Sequence, residues 1–371
     1  MAHALLSASS ADRWLHCPAS VRLTEGMADK GSSYAAEGTL AHAMAEEDLR
    51  AFMEARDPDF SRHCQQPYFY RGMEEDIKLY TDYVKETFLA GAEELAIEQR
   101  LDFSEYVPGG FGTGDAVILS QGAVEIIDLK FGKGVPVSPI KNPQLMLYGL
   151  GAYLANDWLF DIDTVRMTIV QPRLDFLDTY EVSAGMLTEW ARETVTPQAK
   201  LAYAGKGDLQ AGSWCRWCKI KNTCRARASQ HLEFYQSKSA GPELNTAEIA
   251  DVLAQVDAIK AWLADIETGA TETLTAGGEI PGWKLVEGRS NRKITDPEAM
   301  AEALKKVYAA EEIYKPQELK TLTALEKLVG KKAFASDYGQ YVTKPPGKPT
   351  LAPESDKRPA LNSPENEFTF E

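Results

Sequence analysis

Three residues on two adjoining stretches have the types and spacing for phosphate-ester hydrolysis. The segments GTGDAVIL and VEIIDLK flank Ser120 to Ala123, and a tight turn centred on Gln121-Gly122 pairs Leu119 with Val124. Asp115 and Asp128 are equally far from that turn, so they face each other across the strand pair. Alternation then places Lys130 on the same face as Asp128. Two carboxylates opposed in this way repel. A divalent cation between them removes the repulsion. Oxygen donors of this kind suit Mg2+ or Mn2+, which activate water and neutralise charge on a phosphate, while Lys130 can orient the water or stabilise the charge that develops. A lone carboxylate is more often a solvated surface group. The trio differs because IIDLK is apolar up to its Asp, which implies a buried strand delivering charge to one end, and buried charge requires a partner or a metal.

A second constellation is built from thiols. SWCRWCKIKNTC sets Cys215, Cys218 and Cys224 at C-x2-C-x5-C, with Cys17 and Cys64 elsewhere in the chain. Five cysteines in a chain of 371 residues read as cytosolic argue against a disulfide framework and for metal or cluster ligation. Four thiolates suit a [4Fe–4S] cluster or tetrahedral zinc, and spacing alone does not distinguish them. Around these cysteines, Arg216, Lys219, Lys221, Arg225 and Arg227 form a basic patch near Trp214 and Trp217. Such a patch is either a solvated face or a platform for a nucleic-acid strand. The formal net charge of -15 means that any contact with a polyanion must be local.

The elements that position these residues follow from periodicity. TLAHAMAEEDLRAFMEA predicts a helix from Thr39 to about Ala55, entered after Gly38, with His42 and Glu46 on one face. A second helix is expected from Glu74 to about Leu95, where Ile77, Tyr80, Val84 and Phe88 recur at helical spacing. Strands are expected over Ala96–Phe103, Phe111–Leu119, Val124–Lys130, Thr164–Gln171 and Thr179–Ser183. Asn142 and Pro143 open a helix through QLMLYGLGAYLA, and Met186–Tyr203 predicts another. Asn245 with Glu248 resembles a capping pair at the head of a long amphipathic helix. Beyond it, Gly282–Ile294 reads as a hairpin, and Pro297–Tyr308 and Leu322–Phe334 as helices. From Lys344 the sequence is proline-rich and aperiodic.

With 44% hydrophobic residues the chain can bury a core of more than one domain. The expected division is a first domain over 1–235, a small mainly helical domain over 236–342 and a tail over 343–371. No run of about eighteen apolar residues and no secretory leader is visible. The protein is therefore expected to be soluble and cytoplasmic, with no membrane partner.

At this point the chain resembles the PD-(D/E)XK nuclease superfamily, in its RecB-like branch. The resemblance rests on His42 in EGTLAHAMAEE, Gly114-Asp115, Asp128-Leu129-Lys130, and Gln144 and Tyr148 as Q-x3-Y, in that order, over roughly Leu6 to Ala228. It implies a mixed α/β restriction-endonuclease-like core with helical flanks. It also implies metal binding by His42, Asp115 and Asp128, a catalytic Lys130, and Gln144 and Tyr148 contacting substrate or Lys130. Taken alone, His42 would more often be a surface or satisfied core histidine, and Tyr148 a packing residue. Glu46, one turn after His42, could reach the metal through water, although a solvated helix face is the commoner reading for it and for Glu37. The iron–sulfur members of the branch carry one cysteine before the histidine motif and three after the core, which makes Cys17 the fourth ligand and leaves Cys64 without a role. A cluster closing so long a loop would act as a staple.

The chain also looks like a family of uncharacterised proteins encoded in phages and prophages. The implied function is a metal-dependent DNA nuclease, an exonuclease by expectation, acting on single-stranded DNA or DNA ends beside phage replication or recombination proteins. Arg216, Lys219, Lys221 and Arg225 would contact the DNA. One alternative is a non-catalytic DNA-binding recombination scaffold that keeps the fold, which intact Asp115, Asp128 and Lys130 disfavour. Another is a zinc-stapled structural protein, which the basic cysteine segment disfavours.

Overall fold

Five strands form one mixed sheet in the order β1 (Glu94–Asp102), β2 (Phe111–Ser120), β3 (Ala123–Leu129), β4 (Thr164–Gln171) and β5 (Phe176–Ser183). The computed structural model describes residues 4–28, 31, 33–238, 242–286, 296–307, 309, 313–314 and 321–342. β3 and β4 run parallel and the other neighbours antiparallel. Parallel neighbours need a crossover. The helix Pro143–Phe160 supplies it, and its start is fixed by Asn142, whose side-chain oxygen accepts from the backbone N–H groups of Gln144 and Leu145. Pro143 at the first turn loses no hydrogen bond there.

Helices cover both faces of the sheet, which is why its central strands read as continuous apolar runs. In chain order these helices are α1 (Ala11–His16), α2 (Ser20–Leu23), α3 (Ser33–Met53), α4 (Met73–Leu89), α5 (Pro143–Phe160), α6 (Ala184–Trp190) and α7 (Thr196–Ala204). Val117, Leu119, Val124, Ile126, Val165 and Met167 pack with residues of α1, α5, α6 and α7. Ala116, Ile118, Ile127, Leu129 and Val170 pack with α3 and α4. The period-2 alternation is interrupted in β1. Leu95 and Ile97 belong to the α3/α4 layer and Leu101 to the α5 layer, and between them Glu98 adopts φ 52.

Several boundaries differ from expectation for identifiable reasons. The helix expected to reach Leu95 stops at Leu89, because the Glu93 N–H is already bonded to the Leu119 carbonyl at the start of the sheet. α3 begins at Ser33, so Gly38 lies inside it; the strong helix formers Ala35, Ala36 and Glu37 carry the turn pattern upstream. The helix expected over Met186–Tyr203 has a wide π turn at Ala191–Val195 between α6 and α7. Pro197 cannot donate to a carbonyl in that turn, and the Thr196 hydroxyl takes up the Ala191 carbonyl at 3.0 Å. β5 begins at Phe176, three residues ahead of the expected start at Thr179.

By internal contacts the chain forms two units, Met1–Val286 and Glu287–Glu371. Within the first, α8 (Arg225–Ser237) and the long helix α9 (Thr246–Thr275) follow the core. The Asn245 and Glu248 side chains form the anticipated capping box. Arg227 and Lys221 hold Asp265 of α9 at 2.6 and 2.8 Å, so the helix that the sequence placed in a second domain is ion-paired to the cysteine segment. In the second unit, α10 (Pro297–Lys305) is followed by α11 (Leu322–Val329) and α12 (Lys331–Tyr338). One helix was expected over Leu322–Phe334, but Gly330 at φ 90 separates two. Most of the expected hairpin and the tail from Lys344 lie outside the described residues. Among the described residues, no helix is long and apolar enough to cross a membrane.

Removing the cap of α5 tests how firmly this frame is held. Asn142→Ala should lower stability by about 1 kcal/mol in denaturant unfolding, and an unchanged midpoint would show that the crossover helix does not depend on its cap.

Candidate functional site

The two acidic strands are joined in the register that the turn dictates. Leu119 pairs with Val124 and Ala116 with Ile127, so the next residues outward are Asp115 and Asp128. On the other side of β2, Ile97 pairs with Ala116 and Gln99 with Gly114, which brings Glu98 opposite Asp115. Glu98, Asp115 and Asp128 thus form a row across three adjacent strands. Glu98 has no sequence signal that would place it in this row. Its strand is joined to β2 by a longer connection, Phe103–Gly110, whose register cannot be counted from a tight turn.

Asp115 is the anchor of the row. Its Oδ1 lies 3.1 Å from His42 Nδ1, and its Oδ2 accepts the Leu129 N–H at 2.7 Å. Asp115 is therefore turned toward α3, whereas Asp128 and Lys130 meet α5. The expected common face becomes a strand end where the two helical layers come together. Among the described residues, His42, Glu98 and Asp115 form a group whose metal-ligating atoms all lie within 4.8 Å of one another. Glu46 borders the same cavity and pairs with Arg50 at 2.8 Å, while Glu37 pairs with Arg173 at 2.9 Å.

Asp128 is 2% exposed, and its Oδ2 is ion-paired with Lys130 Nζ at 2.8 Å. Lys130 Nζ in turn donates to Gln144 Oε1 at 3.2 Å, and Gln144 Nε2 donates to the Tyr148 hydroxyl at 3.2 Å. Gln144 and Tyr148 are one helical turn apart on α5, so both point the same way. Tyr148 approaches β2 so closely that a Cβ on Gly112 would lie 2.4 Å from its Cε1. Only a bare backbone at Gly112 admits the ring. The Tyr148 side chain could not have been placed from its spacing alone.

The charges of the site are mutually dependent. Burial alone would lower the His42 imidazole, but Asp115 beside it outweighs that and pushes its pKa up to about 9. Burial, reinforced by Asp115, pushes Glu98 up to about 7. Burial would raise Asp115, but His42, Lys130 and the Leu129 N–H hold it below the usual range. Asp128 is raised, because burial and the Asp115 charge outweigh Lys130. Burial opposes the charge on Lys130, and Asp128 restores it and holds the amine above its ordinary value. An electropositive ion is the natural complement to a row in which two of three carboxylates are hard to ionise.

The cysteine segment is tied to this site through α1. Cys17 follows α1 directly, and α1 packs against both α5 and the turn Ser213–Trp217. Cys17, Cys215, Cys218 and Cys224 line one cavity together with Arg13, Ser20 and Lys221. The Gln210 N–H points at Cys17 Sγ from 3.3 Å and the Gly212 N–H at Cys215 Sγ from 3.4 Å. Burial raises the thiols of Cys215 and Cys218. The four cysteines share this cavity and backbone donors meet two of their sulfurs, but among the described residues they do not form a close group of metal-ligating atoms as His42, Glu98 and Asp115 do. Cys64 is exposed and lies elsewhere.

The basic patch is less free than its composition suggests. Lys221 and Arg227 are engaged by Asp265, and Lys219 Nζ donates to the Met27 carbonyl at 2.6 Å. Arg216 lies over the exposed Trp217 ring, 5.0 Å from its centroid, and Arg225 is exposed at the start of α8.

Fold and geometry together define a mixed α/β protein with a five-stranded sheet and a histidine–carboxylate group suited to a metal ion. The chain belongs to the family described as "Protein of unknown function (DUF2800)", whose model matches residues 3–359. Among solved structures, it is similar to SSO0001 at 14% identity and TM-score 0.27, over 59% of this chain and 85% of that one. It is similar to LHK-Exo in complex with dAMP at 12% identity and TM-score 0.24, over 52% and 91%. A phage-related exonuclease from Haemophilus somnus 129PT matches at 13% identity and TM-score 0.23, over 50% and 92%.

The His42–Asp115 pair makes a pH-dependent prediction. Because the folded-state pKa lies above the ordinary 6.5, the pair contributes stability that is full below 6.5 and is lost as pH rises through about 9. In EDTA, the difference in unfolding midpoint between the parent and His42→Gln should shrink across that window. A difference that stays constant with pH would mean that the imidazolium is not paired.

Proposed function

We propose that this chain is a metal-dependent deoxyribonuclease with a restriction-endonuclease-like core, an exonuclease in the service of phage replication or recombination. The observation that carries the reading is the convergence of five elements on one site: His42 from α3, Glu98 from β1, Asp115 from β2, Asp128 from β3 with Lys130 just after it, and Gln144 from α5. His42, Asp115 and Asp128, with Glu98 added to the set expected from sequence, would hold Mg2+ or Mn2+. Imidazole among the donors is acceptable to Mn2+. When bound, the ion supplies activated water and charge neutralisation at the phosphate.

The chain's own residues have separate tasks in this reading. Asp115 fixes His42 through one oxygen and reads the β3 backbone through the other. Lys130 is kept protonated by Asp128 and held in place by Gln144, so its ammonium can face the attacked phosphate and stabilise its developing charge. Tyr148 orients the Gln144 amide. The exposed Arg216–Trp217 pair and Arg225 are the DNA contacts best placed to act, with Lys219 and Lys221 available only if their present partners release them.

Cleavage of end-labelled DNA with Mn2+ or Mg2+, compared with circular DNA, tests the reading. Asp115→Ala, Asp128→Ala and Lys130→Ala should each abolish cleavage in folded protein, since groups that act as a unit do not add. An Asp128→Ala protein that cleaves like the parent removes the assignment and leaves a non-catalytic DNA-binding scaffold.

The same reading includes a [4Fe–4S] cluster on Cys17, Cys215, Cys218 and Cys224, stapling the segment after α7 to the chain start. Anaerobically purified protein should be brown, contain iron and sulfide in proportion, and be unaffected in metal content by Cys64→Ser. Zinc without iron would replace the cluster by a structural zinc site.

A further inference from the structure

Tyr80 projects from α4 with 1% of its surface exposed, and its hydroxyl has no hydrogen-bond partner among the described residues. It borders the cavity lined by His42, Glu98 and Asp115. The charged groups that act on it are Asp115, Asp128 and Glu98, all acceptors. A phenol is a donor at neutral pH. Burying a donor beside three carboxylates without satisfying it costs free energy, and Phe would fill the same volume without that cost. An unsatisfied buried donor at the edge of an acidic cavity is a group that completes its hydrogen bond only in another state of the site.

We propose that Tyr80 is a positioning residue of the candidate metal centre, its hydroxyl donating to a carboxylate of the row when His42, Glu98 and Asp115 close on a divalent cation. The inference rests on reading that group as a metal centre. The role follows from charge redistribution. His42, Glu98 and Asp115 would hold the ion, and a carboxylate oxygen not used for it would need a neighbouring donor, as the Leu129 N–H already serves Asp115 Oδ2. Such outer partners fix the orientation of the ligands, and their loss commonly costs 10- to 100-fold in metal affinity. Tyr80 does not touch the reacting atoms in this scheme.

The test compares the full chain with Tyr80→Phe, both stripped with EDTA and titrated with Mn2+ in a calorimeter. The metal-free variant should unfold no earlier than the parent, because the hydroxyl has nothing to lose. Its Mn2+ affinity should fall roughly 10- to 100-fold, and the stabilisation by Mn2+ should shrink accordingly. In the parent alone, Mn2+ should also produce a near-ultraviolet tyrosine difference band as the phenol gains an acceptor, and the variant should lack it. Equal affinities, a metal-bound parent without the tyrosine band, or a metal-free variant markedly less stable than the parent would each overturn the role of Tyr80 and leave the metal centre standing. A parent that binds no Mn2+ would overturn both.

Discussion

The structure is organised around the repulsion among Glu98, Asp115 and Asp128 on three neighbouring strands. Carboxylates opposed across a ladder are unfavourable, and burial makes each harder to ionise. The row persists because two cations are delivered to it from opposite sides of the sheet. His42 arrives from α3 and takes one oxygen of Asp115, while Lys130 emerges from β3 and pairs with Asp128. His42 and Arg50 also act on Glu98, but burial and the Asp115 charge outweigh them, so Glu98 stays hard to ionise at the β1 end of the row.

That requirement explains features that otherwise look incidental. The crossover helix must begin where it does, because its first turn carries Gln144 to Lys130, and Asn142 and Pro143 fix that start. Gly112 must lack a side chain, because Tyr148 occupies the space above it. The strained backbone of Glu98, at φ 52, coincides with the change of face in β1. A side chain held in a sparsely populated backbone region beside a cluster of like charges is the kind of feature retained where geometry serves a ligand.

The cysteine segment adds a second constraint on the same helix. α1 lies between the four thiols and α5, and the His16 ring stacks on Trp214 at 4.2 Å. A group bound by Cys17 and the later cysteines would therefore hold α1 against the helix that carries Gln144. On the outer side, Asp265 ties Arg227 and Lys221 to α9, which removes two cations from the patch that the composition advertises. In a protein of net charge -15 that loss matters, because polyanion contact depends on the few cations left exposed.

The sequence by itself determined most of the sheet and the opposition of Asp115 and Asp128. A two-residue turn leaves one register, and alternation over so short a hairpin has little room to slip. The Asn142 cap and the Asn245–Glu248 box were equally legible, because caps are local. What only the tertiary structure decided was everything that depends on packing between distant segments. Glu98 joined the site through a ladder whose connection is too long to count, and Asp115 meets His42 of α3, a partner more than seventy residues away in the chain. Tyr80 had the spacing of an ordinary core residue, and nothing along the chain said that it would border the cavity of His42, Glu98 and Asp115. The cations of the cysteine segment read as a free patch until a helix some forty residues later brought Asp265 to two of them. Local rules fix dihedrals and register, whereas the partners of a buried charge are chosen by whichever elements the whole fold packs against it.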